Sequence, residues 1–328
     1  MIDNGIFVIS LDFELHWGRF DKMQLNASAQ KYFFNTRNVI PQKLKLFSEN
    51  EIHVTWAAVG MLFRKNKKEW EEGKPNLLPT FKDENLSAYK WVDKNGFYND
   101  EDPFHFAPSL VDLIKSSPYQ EIGTHTYAHY YCLAEGQTAE QFRADMQTAK
   151  QAAKEKNIEL RSLVFPRNQF NEKYLSICKE EGIYCVRSNP DAWYWNPSDK
   201  SALSKKIFRT GDAYINIPPT KVVSSKSLIK NISSPVLLPA SRLYRSWQPK
   251  YPILNKLKLQ RILHEMTNAA KQKAYYHLWW HPHNFGNYPE ECLQELKQII
   301  EHYHYLHDKY AFKSLSMYET AVHISERD

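Results

Sequence analysis

No stretch of the 328-residue chain approaches the ~18 consecutive apolar residues of a membrane-spanning helix. Its first residues, Met1-Ile2-Asp3-Asn4-Gly5, lack the basic-then-apolar layout of a secretory signal. The expectation is a soluble, cytoplasmic chain. Cysteine is scarce: Cys132, Cys178, Cys185 and Cys292 are too few and too scattered for a disulfide framework or a Cys-x-x-Cys zinc site, so they read as reduced thiols. There is no polybasic tail, since 43 basic against 37 acidic residues leave a net charge of only +6, which does not by itself call for nucleic acid. Internal repeats and low-complexity linkers are absent too, and nothing in the composition divides the chain. With 42% hydrophobic and 24% charged residues, a disordered or fibrous chain is excluded.

Aromatic residues are plentiful, at 14% with 9 Trp and 20 Tyr. They supply core volume or, where exposed, faces for sugar rings. The chain alternates short apolar runs with helix-period segments. Ile6 to Phe13 reads as a strand, residues 35–50 as helix and His53 to Gly60 as a buried strand. Residues 64–108 are too long for a plain connection and are expected to form an insertion or lid. Ser109 to Ser117 reads as helix, Glu121 to Thr124 as strand, and Thr138-Ala139-Glu140-Gln141 as a capping box opening a long helix. Strands at Arg161–Phe165 and Tyr184–Val186 flank a helix capped by Asn171 and stopped by Gly182. Residues 189–250 look irregular. A helix from Leu254 to Lys273, a strand over Tyr275–Trp280 and a helix opened by Pro289 follow. Six or seven strand-then-helix units in one domain point to an α/β, parallel, nearly closed barrel, with its chemistry at the carboxyl ends of the strands.

Polar residues gather at four such ends: Asp12 and Glu14; His125 and His129; Pro166-Arg167-Asn168; and His281-Pro282-His283-Asn284. Two imidazoles four apart would share one face of a helical turn and could meet one metal ion. A second pair at that spacing, His277 and His281, lies along a strand, which puts its members ~13 Å apart, too far to share an ion. Asp12 and Glu14, two apart on extended backbone, can face the same side. One would complete a His₂-carboxylate site for zinc or another divalent ion, and the other would be free as a general base.

In order and spacing, the segment Ile9 to Glu14, the segment His53 to Gly60, the Gly123-Thr124-His125-(three residues)-His129 block and the strand ending at His281 resemble the polysaccharide deacetylase family, the NodB-homology or carbohydrate esterase family 4 group. The resemblance spans about residues 6 to 285. It implies a distorted (β/α)7 barrel and metal-dependent hydrolysis of an N-acetyl group on an amino sugar, with Asp12 as catalytic base, His125 and His129 as metal ligands, and His281 as the acid that protonates the leaving amine. His283 competes for that last role. The family usually has two adjacent aspartates in its first motif. Here Phe13 takes the second place, and Glu14 is the nearest substitute ligand. The family's Arg-x-Pro-Tyr motif is replaced by Phe165-Pro166-Arg167-Asn168-Gln169, from which Arg167 is expected to orient Asp12. Trp279, Trp280, Trp193 and Trp195, with Asn168, are candidates for contact with the sugar.

Two other readings keep the barrel. One is metal-dependent hydrolysis of a cyclic, non-sugar amide, and the other is a catalytically silent glycan-binding barrel. Arg242, Arg245, Lys250, Lys256, Lys258 and Arg261 concentrate positive charge among Trp, Tyr and Leu. Such a segment can hold a phosphate-bearing or lipid-linked sugar, or rest on the inner face of an acidic membrane.

Overall fold

The computed structural model describes residues 4–196, 203–214, 223–224 and 235–326. Strand β1 (Ile6–Phe13) is buried along its whole length and pairs in parallel with β2 (Val54–Ala58) on one side and β9 (Ala274–Trp280) on the other. From β2 the sheet continues through β3 (Gln120–Thr124), β4 (Ser162–Val164) and β5 (Cys185–Ser188) to β7 (Val236–Pro239). After a bend, the same segment continues as β8 (Arg242–Leu243), which pairs in parallel with β9. One kinked segment thus joins the two ends of the sheet, and the seven parallel positions curl into a distorted barrel. Its loosest seam is β3 to β4, where the strands share a single register pair, Thr124 with Leu163. Two short strands lie beside this ring: β6 (Val223–Ser224) runs antiparallel to β9, and β10 (Lys313–Ser314) is parallel to β1.

The helices cover the outside. They are α1 (Ala27–Glu49), α2 (Lys67–Glu72), α3 (Ala88–Asn95), α4 (Pro108–Ser116), α5 (Ala139–Lys154), α6 (Leu175–Glu180), α7 (Leu203–Gly211), α8 (Pro252–Lys271), α9 (Pro289–Tyr310) and α10 (Met317–Ser325). Helix α1 starts earlier than the apolar period suggests, because Asn26 accepts from the Ala29 amide as its N-cap. The capping box at Thr138 and Gln141 forms as expected. Residues 64–108 carry α2 and α3. The supposedly irregular stretch 189–250 holds α7 and the closing β7–β8 segment, while its residues 197–202, 215–222 and 225–234 lie outside the described ones.

The barrel interior is layered. At the amino ends of the strands, Ile6, Val8, Val164 and Leu238 pack against Met317, Ala321 and Ile324, so α10 plugs that end with apolar side chains. Above them lies a polar layer in which Tyr275 Oη is 2.7 Å from His277 Nδ1 and Ser10 Oγ is 2.7 Å from His277 Nε2. The functional residues stand above that layer. His281 and His283 hang on a short turn braced from behind by α1: buried Lys43 donates to the Pro282 carbonyl (3.0 Å) and sits 3.7 Å from the centre of the Phe285 ring. Gly286 makes this approach possible, since a Cβ there would fall 2.5 Å from the Tyr32 carbonyl oxygen. Gly286→Ala is therefore expected to destabilise the fold by about 1–3 kcal/mol, the usual cost of overpacking. The urea midpoint should fall with the slope unchanged, and a midpoint equal to wild type would show that α1 yields freely.

Candidate active site

Parallel strands deliver their carboxyl ends to one rim, and the polar residues found there converge. Glu14, His125 and His129 place one ligand atom each within 4.8 Å of one another, all buried. Glu14 Oε2 is 3.4 Å from His125 Nε2 and 3.2 Å from His129 Nε2. His125 Nδ1 lies 2.8 Å from the Val164 carbonyl, which can only accept, so Nδ1 carries a proton and Nε2 is the atom turned to the site. Nε2 has no hydrogen-bond partner and faces a carboxylate oxygen. Burial pushes His129 down to about 4 despite its carboxylate neighbour, so that ring is neutral. Burial would raise Glu14, but His281, His125 and His129 outweigh it and hold the carboxyl well below its ordinary range. Two imidazoles turned toward one ionised carboxylate form a donor set that fits a divalent metal.

The histidine pair does not sit on a helical turn, as its spacing suggests. Residues 125–130 form a loop in which Thr126 (φ +64°) and His129 (φ +54°) are left-handed, an uncommon state for non-glycine residues and a costly one for β-branched threonine. The surroundings enforce it. Asp145 of α5 accepts from the Tyr127 and Ala128 amides (2.6 and 3.0 Å), and Thr126 Oγ1 accepts from the Tyr130 amide (2.7 Å).

Asp12 is gripped by Arg187 of β5 through two parallel bonds, Nη1 to Oδ1 (2.6 Å) and Nη2 to Oδ2 (2.8 Å). Burial alone would raise Asp12; Arg187, with His125 and His281, reverses this and keeps the carboxyl below its ordinary value. The guanidinium also lies 4.2 Å from the centre of the Trp279 ring and donates from Nη2 to Asn168 Oδ1 (3.0 Å). Arg167, expected in this role, instead pairs with Asp21 at 2.5 Å and covers the Tyr131 ring. The turn after β4 explains the difference: Arg167 and Asn168 are consecutive left-handed residues (φ +54° and +53°), and the register shift carries Arg167 away from Asp12. A charged residue at the end of the apolar Tyr184-Cys185-Val186 run is the signal that marks Arg187 in the sequence.

His281 Nε2 is 3.7 Å from both Asp12 Oδ2 and Glu14 Oε1, and its side chain is 26% exposed to the cleft. His283 stacks on it with ring centres 4.8 Å apart, but it is buried, its Nδ1 lacks a hydrogen-bond partner, and burial followed by His281 holds it well below its ordinary value. Of the two rings, His281 is the one placed to exchange a proton with a bound molecule. Asn168 lines the cleft. Trp279 and Trp280 do not offer stacking faces: they are 2% and 1% exposed and belong to the core. Trp195 is likewise buried, against Trp279, while Trp193 stands exposed against Phe208. The basic run is broken up as well, since Arg242 pairs with Asp212 and Glu265, Arg261 with the same two carboxylates, and Lys258 with Glu295. Those three charges are engaged in ion pairs within the fold.

Gly18 makes room for the ligand carboxylate, because a Cβ at this position would lie 1.9 Å from Glu14 Cδ. Gly18→Ala should thus displace the carboxylate and weaken metal binding by about tenfold or more, as loss of a ligand-supporting contact does. Metal content after dialysis reads this, and full retention would remove Glu14 from the ligand set.

The polysaccharide deacetylase family model matches residues 20–186, half of the chain. No curated protein matches it. Among solved structures, one from Mycobacterium smegmatis assigned to the polysaccharide deacetylases is 12% identical with a TM-score of 0.59, covering 99% of this chain and 92% of that one. One from Pseudomonas aeruginosa PAO1, with the same assignment, is 11% identical with a TM-score of 0.57 over 99% and 92%. A 4-alpha-glucanotransferase from Thermococcus litoralis shares the fold at 10% identity and a TM-score of 0.52, over 98% of this chain and 40% of that one. At these identities the structures speak for the fold alone, while the family match agrees with the metal-binding triad at the rim. The chain belongs to the polysaccharide deacetylase family.

Proposed function

We propose that this protein hydrolyses the N-acetyl amide of an acylated amino sugar, with Glu14, His125 and His129 holding one divalent ion, zinc being the ion that two imidazoles and a carboxylate favour. The observation that carries the reading is the buried convergence of His125 Nε2, His129 Nε2 and the Glu14 carboxylate, directly beside an oriented aspartate and a half-open histidine. A divalent ion in this site supplies Lewis acidity, polarising the amide carbonyl and acidifying a water. Asp12, fixed by Arg187 and kept ionised, accepts the proton of the attacking water. His281 delivers a proton to the departing nitrogen, because an amine anion cannot leave near neutral pH. Asn168 and Arg187 hold one edge of the site rigid. The deciding experiment is acetate release from a panel of N-acetylated amino sugars and their conjugates, with and without chelator. Chelator-sensitive release supports the reading, and no release from any member rejects it.

Glu14→Ala and His129→Ala should each lose most bound metal and all turnover. Asp12→Asn should retain metal and lose about 10²–10⁴ in kcat, the usual worth of a positioned base. The reverse pattern would exchange base and ligand.

Arg187→Met should move the acid limb of kcat/KM to higher pH, because burial then acts on Asp12 without its largest opposing charge. The sign follows from Asp12 being active as the carboxylate: raising its pKa shuts activity off at a higher pH on the acid side. An unmoved limb would mean that Arg187 does not set Asp12.

A further inference from the structure

The cleft above Asp12 and His281 has a volume of about 1580 Å³, beyond the ~300–1,000 Å³ of an ordinary small-molecule site. Arg19, Lys22, Lys206, Arg209 and Arg245 line it, and none of the five makes an ion pair with a described carboxylate. Other cations at or below this rim are paired: Arg167 with Asp21, Arg187 with Asp12, and Arg242 with Asp212. Arg209 uses Nε on the Tyr194 carbonyl (2.6 Å), and its guanidinium lies 4.8 Å from the centre of the Trp195 ring, which leaves both Nη groups without a partner among the described residues. Arg245 donates from Nη2 to the Arg209 carbonyl (3.0 Å), which ties the two side chains to one wall. The Nε atoms of Arg19 and Arg245 are buried and make no hydrogen bond. Burial first, and then the neighbouring cations Arg167, Lys206 and Arg19, push the Lys22 ammonium below its ordinary value against the pull of Asp21.

Crowded cations with unfilled donors are relieved by a polyanion. A neutral N-acetyl sugar has no use for five of them, whereas a phosphate or diphosphate offers several acceptor oxygens and the matching charge. We propose that this cluster is a phosphate subsite and that the substrate is an acylated amino sugar bearing a phosphate or diphosphate, an inference that rests on the amide-hydrolase reading. The phosphate can come from a nucleotide or from a lipid carrier. The helix that supplies Lys206 and Arg209 keeps Leu203 and Ile207 at 73% and 61% exposure, and Ile253, eight residues beyond Arg245, is 74% exposed, so apolar side chains stand beside the cationic ones. The lipid source is therefore tested together with the nucleotide one.

The test uses the metal-loaded protein, its Arg209→Gln/Arg245→Gln double variant and a Lys22→Gln variant at the edge of the same cleft. Calorimetry with inorganic pyrophosphate and with N-acetylglucosamine 1-phosphate should show binding to wild type that weakens about tenfold or more in the double variant and less in Lys22→Gln, with the difference shrinking at high salt. Equal binding to all three proteins overturns the proposal, since phosphate held by the metal alone would not sense these residues. Turnover is then compared for N-acetylglucosamine, its uridine diphosphate conjugate and its farnesyl diphosphate conjugate. A kcat/KM ratio of either conjugate over the free sugar that collapses in the double variant supports the subsite and identifies the source, and a ratio that does not move rejects it. Should no substrate release acetate while pyrophosphate binding still depends on Arg209 and Arg245, the amide-hydrolase reading fails and the phosphate subsite stands.

Discussion

Everything at the rim of this barrel is arranged around one buried ion pair, Asp12 with Arg187. Both side chains are shut off from solvent, and an isolated carboxylate in that position would take up a proton and stop being a base. The pair spans the barrel from β1 to β5, and the second donors of Nη1 and Nη2 go to Ser10 and Asn168. Buried ion pairs add little net stability compared with apolar residues of the same shape, but removing one partner leaves a strongly penalised charge. The pair therefore makes a chemically competent aspartate possible at a site shut off from solvent. Trp279, which the sequence offers as a sugar platform, covers the flat face of the guanidinium instead.

The second constraint is conformational. Thr126, His129, Arg167 and Asn168 all adopt left-handed backbone, and all four lie on the turns that follow β3 and β4. Strain of this kind persists only where neighbouring bonds over-determine the shape. Asp145, which touches no ligand atom, does so for the histidine loop. The two turns flank the loosest seam of the sheet, between β3 and β4, so local hydrogen bonds hold the site where strand pairing is thinnest.

The sequence discloses the ligands more readily than it does their supports. Asp12, Glu14, His125, His129 and His281 are legible because each directly follows an apolar run, and strand ends of a parallel barrel share one rim. The period-two and period-3.6 patterns likewise place β1, β3, β9, α5 and α9 close to where they fold. Three features escape such reading. The closing β7–β8 segment is short, is interrupted by a bend and has its apolar run set between Pro235 and Pro239, so no periodicity marks it. The left-handed turns at 125–130 and 166–168 contain no glycine, which removes the usual signal for that conformation. Whether a tryptophan or an arginine faces the cleft or the core depends on partners far along the chain, as Trp280 and Arg242 show, and composition carries no information about those partners.

The route by which β1 finds its neighbours carries a further consequence. It pairs on one side with residues 274–280 and, at its amino end, with Lys313 and Ser314, while Met317, Ala321 and Ile324 fill the space beneath it. During synthesis, β1 must therefore wait for residues 274–324 before that edge is covered. Contacts of such long sequence separation close slowly, and an uncovered apolar strand edge invites pairing with other chains. Chaperones that shield strand edges consequently have their window of action between the synthesis of β1 and that of residues 274–324.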